Sequence, residues 1–108
     1  NKVVFYDAVY FFQKLRQMGK QPEIVEMCHK LLGPVLRYDE EHKTQLTDTL
    51  RCLLVNNENV KKTAEQLFIH KNTVLQRKNK LTELFGYSPF DMPYRLNFLM
   101  IFDIMEKK

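Results

Sequence analysis

The sequence predicts an all-α fold, a helical bundle that contains a helix-turn-helix, and three observations support this class. Apolar residues recur at spacings of three and four along several segments, as they do on the buried face of a helix. Convincing alternation of apolar and polar residues is absent, since the one strand-like run, Val3–Tyr6, is short. The 108 residues, 44% of them hydrophobic, suffice for a single domain with one modest core over residues 1–108.

Two helices are expected in the first third of the chain. The first begins after Asp7, a candidate N-cap, and runs over Ala8–Met18, where Gly19 fits the stop position just beyond its end. The second begins at Pro22 and is expected to break at Gly33-Pro34, because proline removes a backbone donor and glycine favours helix ends.

A third helix and a final helix complete the predicted scaffold. The third opens at Asp39 or a neighbour and ends near Val55, and its buried stripe consists of Leu46, Leu50, Leu53 and Leu54. The final helix has Pro93 in its first turn and extends to about Glu106. It is too apolar for one buried stripe, so we expect it to be buried on more than one side, within the domain or against a partner.

Between these helices the pattern predicts two further helices joined by a short turn. Asn59 is a good N-cap for a short helix over Val60–Leu67. A break at residues 68–70 precedes a longer helix over Lys71–Phe85, which Gly86 ends.

Residues 59–86 therefore have the pattern of a helix-turn-helix. Its two helices must cross at roughly 90–120° through a turn of three or four residues. The small side chain of Ala64 suits the crossing point. Apolar anchors are expected to hold the angle, and they are Val60, Leu67, Ile69, Val74, Leu81 and Phe85.

The positive charge of the chain is concentrated in the same segment. The net charge is +4, and Lys/Arg balance Asp/Glu both in residues 1–58 and in residues 86–108. Residues 59–85 hold six Lys/Arg against Glu65 and Glu83. Such a local excess is expected of a surface that binds nucleic acid, although a solvated helix face also explains it.

The second helix of the pair carries side chains suited to DNA on the face opposite its apolar anchors, which we expect to point outward. Arg77 suits a bidentate contact with guanine, and Asn72 or Gln76 suits one with adenine. The lysines suit phosphates, which add affinity without sequence information. The candidate DNA-binding residues are His70, Lys71, Asn72, Thr73, Gln76, Arg77, Lys80, Lys61 and Lys62.

Each of these assignments has a structural alternative. His70 also suits a helix cap or turn packing, and Thr73 suits a helix start that does not contact DNA. Gln76 and Arg77 are also compatible with solvated positions, and the two lysines at 61–62 with an ordinary protein surface.

Residues 63–86 resemble the C-terminal helix-turn-helix domain of the PucR/CdaR type of transcription regulators. They read TAEQLFIHKNTVLQRKNKLTELFG, where the family has an alanine-containing helix, LF-[IV]-H-[RK]-N-T, an arginine and an apolar helix end. Residues 32–60 resemble the family's LGPLL-x-YD opening and its L-x-T-L-x-x-[YF]-L helix. Two departures stand out, because Gln76 replaces a usual aromatic residue and Lys78 a frequent apolar one. We expect the stem of Lys78 to pack inward while its amine reaches water.

The resemblance implies an all-helical DNA-binding domain at the C-terminus of a longer bacterial regulator, preceded by a sensory region. Residues 1–35 would then be a helical extension toward that region, and a first residue other than Met agrees with a segment of a longer protein. We expect double-stranded DNA as the partner and a homodimer in the full-length protein, since one recognition helix covers few base pairs. The alternative is a helical interaction module whose basic helix binds an acidic protein.

Other classes of protein are disfavoured. The sequence has no nucleophile–base motif, no glycine-rich phosphate loop and no metal-ligand spacing, so we expect neither an enzyme nor a cofactor. His29 and His42 are interpreted as structural or solvated. Cys28 and Cys52 are expected to be ordinary buried thiols in a reducing cytoplasm, because they are far apart and form no CxxC pair. Neither a signal peptide nor a membrane-spanning segment is expected.

Overall fold

The computed structural model describes residues 2–106, with side chains from Tyr6 onward except that of Phe12. These residues form six helices and no strand, which confirms the predicted all-α class. In chain order they are α1 (Lys2–Met18), α2 (Pro22–His42), α3 (Leu46–Val55), α4 (Val60–Leu67), α5 (Lys71–Phe85) and α6 (Tyr94–Glu106).

The start of α1 differs from the sequence expectation. The run Val3–Tyr6 is helical and Asp7 lies inside the helix rather than capping it. A four-residue strand without a partner strand would leave its backbone groups unpaired, whereas a helix satisfies them within one segment. The expected end is confirmed, because the N–H of Gly19 donates to the carbonyls of Leu15 and Arg16 just beyond Met18.

The predicted break at Gly33-Pro34 is wrong, because α2 runs unbroken from Pro22 to His42 with Pro34 inside it. Proline lacks the N–H that would bond the carbonyl four residues earlier, and an interior proline costs about 3 kcal/mol. Leu32 and Val35, on either side of the predicted break, are buried in the core. Burial of these side chains offsets the lost hydrogen bond, so packing overrides the local signal.

The predicted opening of α3 at Asp39 is also wrong in position, but Asp39 does cap that helix. The residue lies within α2, and α3 begins seven residues later at Leu46. One carboxylate oxygen accepts the N–H of Leu46 at 2.8 Å, and the other accepts the N–H of Thr47 at 2.9 Å. The orphan donors of α3 are thus satisfied from the preceding helix across a tight turn.

The core surrounds α3, which packs against α2, α4, α5 and α6. All four predicted leucines of its stripe are buried. The other helices contribute the fully or nearly fully buried side chains of Leu32, Val35, Val74, Leu81, Phe98 and Ile101. The apolar α6 packs against both α3 and α1, which confirms that more than one of its sides is covered. An ion pair between Arg16 and Asp103 at 2.9 Å joins α1 to α6.

Candidate nucleic-acid interface

Local side-chain caps define the two helices of the helix-turn-helix. The side chain of Asn59 accepts the N–H of Lys62 at 2.9 Å, which confirms the predicted cap of α4. The turn begins at Phe68, whose backbone is left-handed with φ of 58° and whose side chain is 93% exposed. His70 then caps α5, because its Nδ1 accepts the N–H of Asn72 at 3.1 Å. The capping alternative for His70 is therefore realised, with its ring at the exposed start of α5.

Buried residues hold α4 and α5 against the scaffold as expected. Ala64 is buried where α4 meets its neighbours, and Thr63 beside it is buried too. Val74 and Leu81, seven residues apart on α5, are both completely buried. Because side chains seven apart share one helix face, this face points into the core and the opposite face is presented outward.

The exposed residues of α5 differ in part from those that the sequence predicted. Lys71, Asn72 and Gln76 are exposed as expected, whereas Thr73, Arg77 and Lys80 are half-buried. Arg77 contacts α3 through Thr49, and Lys80 lies over the Tyr38 ring of α2. Four residues outside the predicted set are also exposed on this helix. They are Leu75, which is 45% exposed, and Asn79 in its first half, and Thr82 and Glu83 near its end. Helical spacing from Asn72 was the available signal, since residues 72, 75, 76, 79, 82 and 83 lie on one face.

Arg77 does not project freely from the helix, which corrects the expectation that it points outward. Its Nη1 donates to Oγ1 of Thr49 on α3 at 3.1 Å. Thr49 is completely buried, and its hydroxyl donates in turn to the carbonyl of Gln45 at 2.9 Å. Arg77 therefore links the middle of α5 to the first turn of α3.

The cations at the starts of α4 and α5 remain available for a ligand. Within residues 2–106, no carboxylate lies within ion-pair distance of Lys61, Lys62 or Lys71. The first turns of both helices lack acidic residues. The positive ends of two helix dipoles and three lysines therefore favour an anionic partner at this end of the motif.

Comparison with known proteins agrees with this geometry. Residues 46–104, from the start of α3 to within α6, match the family described as the PucR C-terminal helix-turn-helix domain. The chain belongs to this family.

Most of this PucR-type domain is similar to one part of a longer protein. The domain is 33% identical over 103 residues to the proline-responsive transcriptional activator PutR of Bacillus subtilis (strain 168). The similarity covers 95% of the chain and 25% of that protein, so the chain spans about a quarter of the length of this relative. No solved structure matches the chain.

Lys78, one of the two departures from the PucR pattern, has a structural role. Its amine pairs with Glu58 at 2.9 Å and lies 5.3 Å from the centre of the Phe90 ring. The expectation that the amine reaches water is corrected, because the amine ends on a carboxylate. Glu58 also faces Arg95 of α6 at 3.7 Å, so the turn before α4 is tied to both α5 and α6. One cation of the basic segment is thereby neutralised.

The other histidines and the two cysteines of the PucR-type domain lie outside this surface. His29 and His42 are exposed, and His42 lies against the ring of Tyr38 with centroids 4.1 Å apart. Cys28 and Cys52 are free and buried, as predicted, and burial raises the pKa of the Cys28 thiol above its ordinary value. The part of the chain with described coordinates contains no cluster of three or more metal-ligating side chains. Over the same residues no helix is both long and apolar enough to cross a bilayer.

Proposed function

We propose that this domain binds double-stranded DNA sequence-specifically, with α5 in the major groove, as the C-terminal part of a bacterial transcription regulator acting in the cytoplasm. One observation carries the proposal. Over residues 72–79 the exposed face of α5 presents amides and one aliphatic side chain. Lysines with no carboxylate in ion-pair distance among residues 2–106 lie at the starts of α4 and α5. A protein that recognises DNA sequence in the major groove needs this arrangement, because amides recognise base edges and cations bind the flanking phosphates.

The chemistry of the exposed face assigns roles to its residues. Asn72 and Gln76 suit bidentate contacts with adenine, and Leu75 suits the methyl group of thymine. Phosphate contacts fall to the cations around them and to the polar side chains of His70 and Thr73 at the start of α5. This backbone set comprises Lys61, Lys62, His70, Lys71, Thr73, Arg77 and Lys80. Arg77 retains the capacity to bind guanine only if it releases Thr49, so its position favours contact with the backbone.

We further propose that the domain works as part of a homodimer with an upstream sensory region. The relative that it resembles is about four times longer and is described as proline-responsive and as a transcriptional activator. The N-terminal extension over residues 1–35 leads toward that region, and α2 crosses residue 35 without a break, so the extension is continuous with the DNA-binding core. Exposed Val9, Tyr10 and Met18 on α1 give it an apolar surface that suits such a contact.

Selection of bound sequences from random duplex DNA tests the proposal directly. We expect one enriched motif, and a dimer predicts an inverted repeat whose half-sites lie about 34 Å apart. Fluorescence anisotropy with the selected duplex and a scrambled one then tests individual residues. Gln76→Ala should reduce discrimination between the two duplexes by roughly 5- to 150-fold, the equivalent of roughly 1–3 kcal/mol. Gln17→Ala, at an exposed position on α1, is the matched control and should change nothing.

Two outcomes would overturn the proposal. If no duplex binds even at low salt, the basic surface serves another partner, and binding of an acidic protein to it would support the alternative function. If the selected duplex binds Gln76→Ala as selectively as the wild type, Gln76 does not read a base. Lys61→Gln should instead weaken both duplexes equally and lower the salt slope by about one unit.

A further inference from the structure

A second cationic surface extends beyond the helix-turn-helix, in a cleft between α5 and the turn that joins α2 to α3. The cleft has a volume of about 390 Å³ and opens to solvent beside the exposed face of α5. Its lining includes Tyr38, Lys43, Gln45, Gln76, Arg77 and Lys80. Three of these side chains are cations, and they come from segments more than 30 residues apart in the sequence, so the charge pattern along the chain does not reveal the cleft.

The cations of this cleft have spare capacity to bind an anion. A guanidinium has five N–H donors, and over residues 2–106 Arg77 has one acceptor, the hydroxyl of Thr49. Over the same residues Lys43 has no carboxylate within ion-pair distance. Lys80 faces Glu83 at a long 3.5 Å and lies 5.0 Å from the centre of the Tyr38 ring, so its charge is only partly compensated.

Asp39, near the end of α2, is engaged by other groups than these cations. Its two oxygens accept hydrogen bonds from Thr44 Oγ1, Leu46 N, Thr47 N and Thr47 Oγ1. Burial alone would raise the pKa of this carboxyl, but the four hydrogen bonds outweigh burial and lower it. The carboxylate is thus held ionised and directed at α3, and no acidic residue lines the cleft.

The position of the cleft fixes what kind of anion can reach it. Gln76 belongs both to the exposed face of α5 and to the lining of the cleft. A duplex that receives α5 in its major groove places one backbone strand near the starts of α4 and α5, where Lys61 and Lys71 lie. Because the groove is about 12 Å wide and is bounded by two strands, the other strand passes the opposite edge of α5. That edge carries Arg77 and Lys80 and opens into the cleft.

We propose that this cleft binds a phosphodiester of the second DNA strand, with Lys43 from the α2–α3 turn as a DNA contact outside the helix-turn-helix. The inference rests on the proposed function, and it extends the interface to the scaffold. Lys43 and Lys80 supply charge to the phosphate. Arg77 donates to it while remaining anchored on Thr49, and so couples the phosphate to the first turn of α3. The contact adds affinity but does not distinguish sequences, since it is made to the backbone.

Salt-dependent anisotropy with Lys43→Gln and Lys30→Gln tests this proposal. Lys30 is the matched control, because it is an exposed lysine on α2 that lies 13 residues before Lys43, roughly 20 Å along the helix axis. Lys43→Gln should lower the slope of log affinity against log salt by about 0.9 and weaken the selected and scrambled duplexes by the same factor. Lys30→Gln should leave both quantities unchanged. Thermal melting of each variant verifies that folding is preserved.

The outcomes separate this inference from the proposed function. If Lys61→Gln lowers the slope and Lys43→Gln does not, the domain binds DNA but the cleft does not contact it, and the inference is overturned. A loss confined to the selected duplex also overturns it, because Lys43 would then read sequence. A third experiment measures the Tm of the wild type and of Lys43→Gln with added inorganic phosphate at constant ionic strength. If the phosphate raises the Tm in a Lys43-dependent manner while the DNA slope is unaffected, the cleft serves a free anion and the DNA assignment fails.

Discussion

Replacing Asp39 by asparagine tests the cap that orders the turn beside the cleft. The substitution keeps the size of the side chain and one carbonyl oxygen, so the hydrogen bonds from Thr44 and Leu46 can persist. The new amide group, however, faces the N–H and hydroxyl of Thr47, which now bond the second oxygen at 2.9 and 2.7 Å. The Thr47 N–H therefore loses its acceptor, and the hydroxyl, which can turn to accept from the amide, exchanges a bond to a charged group for a neutral one.

The expected magnitude follows from those two bonds. A hydrogen bond to a charged group contributes about 1.5–3 kcal/mol, but Asp39 is only half-buried, so water replaces part of each. We expect a loss of about 2 kcal/mol in the free energy of unfolding, or a fall in Tm of roughly 8 °C for a domain of this size. Asp48→Asn is the control, because Asp48 is exposed in the first turn of α3, where its charge favours the helix dipole by about 0.3–1 kcal/mol.

The pH dependence supplies the second half of the test. The pKa of Asp39 is lower in the folded protein than its ordinary value, so its contribution is fully present above the unfolded-state pKa. That contribution is lost as the pH falls through the folded-state pKa. Urea unfolding from pH 7 to pH 3 should therefore show the gap between wild type and Asp39→Asn narrowing below about pH 4. A gap that stays constant with pH, or equal losses for Asp39→Asn and Asp48→Asn, would refute the reasoning.

Two further substitutions have defined outcomes. Gly86→Ala should lower the free energy of unfolding in urea by about 1–2 kcal/mol, because Gly86 ends α5 with a φ of 79°, which alanine adopts only with strain. The added Cβ would meet no atom within 4 Å, so no clash is expected. A loss above about 3 kcal/mol would contradict this and indicate a clash. Lys78→Met should keep the packing on Phe90, cost less than about 1 kcal/mol, and leave the salt slope of DNA binding unchanged, because this amine is already paired with Glu58. A reduced slope for Lys78→Met would place that lysine among the phosphate contacts.

Capping residues and apolar periodicity in the sequence determined the two helices of the helix-turn-helix. The predicted bounds of α4 and α5 agree with the structure, since each end is set by a neighbouring residue. Asn59 and His70 cap the starts through their own side chains, and Gly86 adopts the left-handed backbone beyond the end of α5. Caps and periodicity act within a few residues, so the sequence displays them directly.

Tertiary packing decided the rest, because long-range contacts outweigh local preference. Pro34 was expected to end α2, yet burial of its neighbours keeps the helix intact. Asp39 was expected to open α3 in place, yet it reaches across a turn to cap a helix that begins seven residues later. Arg77 was expected to point outward, yet it bonds a hydroxyl 28 residues away. The free energy of such contacts depends on which helices meet, and that arrangement exists only once the chain has folded.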